Sequence, residues 1–209
     1  MDQYMAFPAS VPKAGILVIH AWWGLNNFIK SLCDKLASEG YVALAPDLYH
    51  GRIADDIENA EKMRTKLKAD IVKQDILAAL NQLQSEPSIE GKQIDLMGFS
   101  LGAHWSLWLA EEQPQAIAAT AIFYGTRGGT YQATTTAYLG HFAETDEYVS
   151  ASGRKKLERI LKATGMDVTF YTYPDTQHWF FENDRPEYNP EAADLAWQRT
   201  LEFMNKHLS

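Results

Sequence analysis

Gly98-Phe99-Ser100-Leu101-Gly102 stands between an apolar run, Gln93-Ile94-Asp95-Leu96-Met97, and a stretch free of breakers, Ala103-His104-Trp105-Ser106-Leu107-Trp108-Leu109-Ala110. The first reads as a buried strand and the second as a helix. A serine between two glycines at a strand-to-helix corner has the spacing of a nucleophile elbow. Such a turn strains the serine backbone, and the glycines admit neighbouring elements where a Cβ would collide. The helix N-terminus brings free N–H groups and a positive dipole end beside the hydroxyl. An ordinary tight turn with a small residue would look the same in isolation; the flanking strand and helix favour a nucleophile.

Outward from this corner the chain alternates. Gly15 to Ala21 and Tyr41 to Ala45 are continuous apolar runs, as in strands buried on both faces. Between them Phe28, Leu32 and Leu36 predict a helix from about Asn26 to Ser38, ended by Gly40. Asp55 to Glu86 reads as helical with one break, with Ile57, Met63, Leu67, Ile71, Ile76, Leu80 and Leu83 as its apolar positions. Strands are predicted over 117–124, 136–142 and 167–173, and helices over 152–164 and 190–206. The last helix begins with Pro190 and should turn Leu195, Leu201 and Phe203 inward. The first dozen residues would add a short edge strand. This order predicts an α/β fold: a mostly parallel sheet of about six to eight strands with helices on both faces. Ligands in such sheets bind at the C-terminal strand ends. No Pro/Gly/Ser-rich linker divides the chain, so a single domain over 1–209 is expected.

Apolar residues make up 46% of the 209, charged residues 22%, and the net charge is −8. That balance disfavours nucleic acid or an anionic membrane as partner. The lone cysteine, Cys33, excludes an internal disulfide and a Cys-rich metal site. The longest apolar stretch, Ala14 to Leu25, is too short to span a bilayer, and no signal segment precedes it. A soluble, cytoplasmic protein is expected.

A serine hydroxyl is a weak nucleophile until a base takes its proton, and the base needs an orienting acceptor. Past Ser100 the histidines are His104, His141, His178 and His207. His104 lies one turn into the elbow helix, His141 in or at the end of a strand, and His207 near the terminus. His178 follows the last predicted strand in a loop at the C-terminal edge, so it is the favoured base. Asp146 and Glu144 follow the fifth core strand, and Asp175 shares the His178 loop. Asp146 is favoured, with Glu144 second; Asp175 is too local to orient the ring. The oxyanion should meet the N–H of Leu101 and one from Ala21-Trp22-Trp23-Gly24, with Trp22 preferred.

The chain resembles the dienelactone hydrolase family of the α/β-hydrolases. The resemblance rests on Val18-Ile19-His20-Ala21-Trp22-Trp23-Gly24-Leu25-Asn26, Tyr41 to Tyr49, Met97 to Gly102 and Phe123-Tyr124-Gly125. It continues through Ala143 to Asp146, Gln177-His178-Trp179-Phe180, Arg185-Pro186 and Ala196 to Thr200. It implies an α/β-hydrolase fold, and since no large insertion follows the fourth predicted strand, no large lid is expected. It also implies Ser100, Asp146 and His178 as the triad, with the N–H groups of Trp22 and Leu101 as the oxyanion hole. Two positions depart from the family's founding enzymes. Ser100 stands where they carry cysteine, and Ala21 where they carry a glutamate that manages the thiol proton. Near the base, where an arginine for a substrate carboxylate is expected, stands Glu182; Arg52, Arg127 and Arg185 are the candidate replacements.

The expected activity is hydrolysis of small carboxylic esters or lactones through an acyl-enzyme, without metal or organic cofactor. Alternatives are a thioesterase or peptidase on the same three residues, or a non-catalytic binding protein on this fold. Trp22, Trp23, Phe99, Tyr124, Trp179 and Phe180 gather near the strand ends, as an aromatic pocket or as core. His141 and Glu144 lack a third partner for a metal, and Cys33 reads as a small buried apolar residue. Glu58 and Lys62, four residues apart, belong to a solvated helix face.

Overall fold

A computed structural model of the chain describes residues 2–132 and 134–208. Among these residues seven strands form one sheet: β1 (Gln3–Ala6), β2 (Gly15–Ile19), β3 (Val42–Pro46), β4 (Ile94–Phe99), β5 (Ile117–Phe123), β6 (Ala137–Ala143) and β7 (Val168–Tyr173). Their order is β1-β3-β2-β4-β5-β6-β7. Only β1, the predicted edge strand, runs antiparallel, against β3. The inner strands are buried along their whole length because helices cover both faces.

Five α-helices lie in the connections, α1 (Asn27–Ser38), α2 (Ile57–Thr65), α3 (Ala69–Gln84), α4 (Leu101–Glu112) and α5 (Ala151–Lys162), and α6 (Pro190–Lys206) follows β7. Phe28, Leu32 and Leu36 of α1 share one core with Trp197 and Phe203 of α6. Ile76 and Leu80 of α3, Leu107 of α4 and Leu157 and Leu161 of α5 fill the other core. The connections after β2 and β4 therefore leave toward opposite faces. These neighbouring strands flank the topological switch point, where an open α/β sheet leaves a crevice.

The predicted break in the long helical stretch falls at residues 66–68, between α2 and α3. Leu195, expected to face inward, is instead 41% exposed, and Ile57 and Ile71, apolar positions of the helical stretch, are 48% and 42% exposed. Ile71 and Leu195 sit on faces that α3 and α6 turn to solvent. Ile57 opens α2, a helix that buries only Ala60. No helix among the described residues is long and apolar enough to cross a membrane.

Candidate active site

Ser100 follows directly from β4 and caps α4, at φ 50 and ψ −107. That left-handed φ is costly for a side chain with a Cβ and needs support on every side. Its N–H donates to the Phe123 carbonyl at 2.9 Å. The two flanking glycines are needed for close approach. A Cβ on Gly98 would collide with Ser106 Oγ and the Gly102 carbonyl; one on Gly102 would strike the carbonyls of Ile19 and His20. The start of α4 thus lies directly against the end of β2.

His178 comes from the loop after β7. Its Nε2 lies 2.8 Å from Ser100 Oγ, and its Nδ1 lies 2.8 Å from Asp146 Oδ2. Asp146, on the loop after β6, also accepts the N–H groups of Tyr148 and Val149 through Oδ1, at 2.8 and 2.9 Å. Both Asp146 oxygens are then engaged, and its side chain is 5% exposed. A carboxylate can only accept from Nδ1–H, which leaves Nε2 free to accept the Ser100 hydroxyl.

The rival residues have other work. Glu144 Oε2 accepts the N–H of Asp175 and so supports the turn before His178. Asp175 sits in that turn at φ 54. His141 is fully buried in β6, between the Tyr173 hydroxyl (2.7 Å) and Thr200 Oγ1 (2.9 Å). Burial holds its imidazole down to about 3, and with both nitrogens occupied it cannot ligate a metal. Cys33 is buried in the α1 core, where burial pushes its thiol up to about 12, far from reactive thiolate.

A cavity of about 450 Å³ opens above the serine, lined by Trp22, Ile57, Glu61, Arg64, Ser100, Leu101, Tyr148 and Trp179. Leu101 is the first residue of α4, so its N–H has no acceptor within the helix. Trp22 borders the same cavity from the loop after β2. Of the six aromatic candidates, Trp22 and Trp179 line this cavity. Phe99, Tyr124 and Phe180 are core, and Trp23 is buried beneath a neighbouring hollow. Ala21 is buried where the loop after β2 begins.

The three proposed arginines are committed elsewhere. Arg127 pairs with Glu111 at 2.5 Å, and Arg52 donates to the Tyr49 carbonyl. Arg185 bonds Asp184 and lies over the Trp23 ring at 4.1 Å. The cavity's guanidinium is Arg64, which sequence reasoning passed over as part of a solvated face. The signal was its register: Ile57, Glu61 and Arg64, at i, i+4 and i+7, share the side of α2 that walls the cavity. Glu58 and Lys62 do form the expected exposed pair on that helix.

Residues 1–208 match the family model described as the Dienelactone hydrolase family. "Protein usf" of Aquifex pyrophilus is 32% identical over 205 residues, covering 93% of this chain and 89% of that protein. A "Putative carboxymethylenebutenolidase" of Aquifex aeolicus is 30% identical over 215 residues, covering 98% and 93%. Among solved structures, a dienelactone hydrolase-like promiscuous phosphotriesterase from metagenomic libraries superposes with a TM-score of 0.82 at 19% identity. It covers 96% of this chain and 89% of its own, a likeness of α/β-hydrolase fold.

Proposed function

The chain belongs to the dienelactone hydrolase family and is an ester-bond hydrolase, and from that premise we propose that it cleaves small carboxylic esters or lactones through an acyl-enzyme on Ser100. Ser100 Oγ attacks the carbonyl carbon as its proton passes to His178 Nε2. Asp146 orients the imidazole and stabilises its charged form. The oxyanion is held by the N–H groups of Leu101 and Trp22, the first pre-oriented by α4. His178 then gives its proton to the leaving alkoxide. It next takes a proton from water, which attacks the acyl carbon, and returns that proton to Ser100 Oγ as the acyl–oxygen bond breaks and the acid leaves. The observation that carries this reading is the continuous relay, 2.8 Å from Oγ to Nε2 and 2.8 Å from Nδ1 to carboxylate, at the floor of a substrate-sized cavity.

The cavity wall bears on substrate class. Arg64 can meet a substrate carboxylate, but Glu61 stands beside it on the same face of α2. Opposite charges one turn apart leave the wall without a strong anion preference, so neutral esters and lactones are favoured over carboxylated dienelactones. Arg64→Ala should then raise KM for a carboxylated lactone severalfold and change a neutral p-nitrophenyl ester little, as a steady-state comparison reads directly.

A serine-directed phosphonate is the direct test. Labelling of the wild type at Ser100, lost in Ser100→Ala, supports the proposal, with turnover highest on esters or lactones in a panel that includes thioesters and peptides. No labelling, or turnover surviving in Ser100→Ala, overturns it.

A further inference from the structure

His178 is held by more than its acid. Its ring packs near two tyrosines, with centroids 4.8 Å from Tyr148 and 4.9 Å from Tyr124. Tyr148 is partly exposed at the cavity. Tyr124 is buried, one residue beyond β5, at φ 37, a conformation that a bulky side chain adopts only under constraint. Its hydroxyl donates to Glu182 Oε1 at 2.8 Å. Glu182 is 1% exposed and lies four residues after His178 in the same loop. A buried carboxyl is expensive, and an apolar side chain could pack beneath this loop without that cost. The bond it makes joins the loop carrying His178 to the end of β5. The same strand end accepts the Ser100 N–H through Phe123.

We propose that Tyr124 and Glu182 are positioning residues for His178: their buried hydrogen bond locks the His178 loop to the strand end that holds Ser100, and the Tyr124 ring keeps the imidazole aligned with Ser100 Oγ. The proposal rests on the acyl-enzyme reading above. Neither residue borders the cavity, so both act through the base and not on the substrate.

The pair also carries a titration. Burial pushes the Glu182 carboxyl up to about 8. The groups facing it are Tyr124 from the end of β5 and, from its own loop, Asp184, Arg185 and Glu187. Burial, then Glu182, Asp184 and, on the loop after β6, Asp146 hold the Tyr124 hydroxyl in its protonated form. Below about pH 8 the pair is neutral. Above it, the Tyr124 hydroxyl donates to a carboxylate, a charge-assisted hydrogen bond that ties the His178 loop more firmly to the end of β5. The rate should therefore rise as Glu182 ionises.

The experiment compares wild type, Glu182→Ala, Glu182→Gln and Tyr124→Phe for kcat, KM, Tm and kcat against pH on a p-nitrophenyl ester. Phosphonate labelling of wild type runs beside it. Expected are a tenfold or greater loss of kcat at unchanged KM in Glu182→Ala and Tyr124→Phe. Glu182→Gln, whose amide oxygen can still accept from Tyr124, should recover most of the rate and lack the rise near pH 8. A lowered Tm with wild-type kcat, or superimposable pH profiles for wild type and Glu182→Gln, overturns the proposal. Should Glu182→Ala not fold, Glu182→Gln and Tyr124→Phe decide alone. If the wild type is not labelled, the acyl-enzyme reading fails instead; if it is labelled and the variants behave as wild type, only the positioning role fails.

Discussion

Asp146 has two oxygens and three donors to serve: two backbone N–H groups and the His178 ring. The backbone pair fixes the carboxylate, and the carboxylate fixes the imidazole. Asp146→Asn keeps the shape but presents an NH₂ where an acceptor is required, which favours the wrong tautomer. A fall in kcat of about 10⁴ is expected, with the circular dichroism spectrum unchanged. Glu144, the rival acid, only supports the Asp175 turn. Glu144→Gln should keep kcat within a few-fold of wild type, and a larger loss would return Glu144 to contention as the acid.

At the scale of elements, the site depends on how closely α4 meets β2 and how firmly the surrounding loops are tied. Gly102→Ala drives a methyl into the Ile19 and His20 carbonyls, so it should lower Tm and prise the Leu101 N–H from the Trp22 loop. Asn26 caps α1 through Ile29 N–H and also donates to Asp184, which tethers the loop after β2 to the His178 loop. Asn26→Ala removes both, at a cost of about 1–2 kcal/mol measurable by urea denaturation. The inner strands and the amphipathic α1 were readable because their apolar spacing has only one burial solution. The role of α2 was not. A short helix that buries little has a weak inward signal, and its spacing cannot say that the face beside Ala60 borders a cavity and not open solvent.

The whole molecule carries two buried acids whose titration reaches its stability. Burial pushes Asp95 in β4 and Glu182 each up to about 8. Both lie above their unfolded values of roughly 4, so between pH about 4 and 8 the folded protein binds more protons than the unfolded chain. Stability is greatest at the acidic end of that window, falls as pH rises through it, and levels off above about 8. Tm from calorimetry should therefore be several degrees lower at pH 9 than at pH 5. Asp95→Asn should remove roughly half of that fall, because it deletes one of the two titrations.

By itself the sequence determined the alternation of strands and helices, the glycine-flanked serine at the end of β4, and the order of serine, acid and histidine along the chain. These are local: each rests on side-chain period, turn chemistry or position after a strand, and none requires knowledge of a distant neighbour. Only the tertiary structure decided that Asp146, and not Glu144, lies within reach of His178. It likewise decided that Arg64 walls the cavity while Arg52, Arg127 and Arg185 are engaged elsewhere, and that Glu182 is buried against Tyr124. The reach of Asp146 to His178, the place of Arg64 above Ser100 and the Tyr124–Glu182 bond each join residues far apart along the chain. Such contacts are fixed by how sheet and helices pack, and spacing along one chain does not by itself determine them.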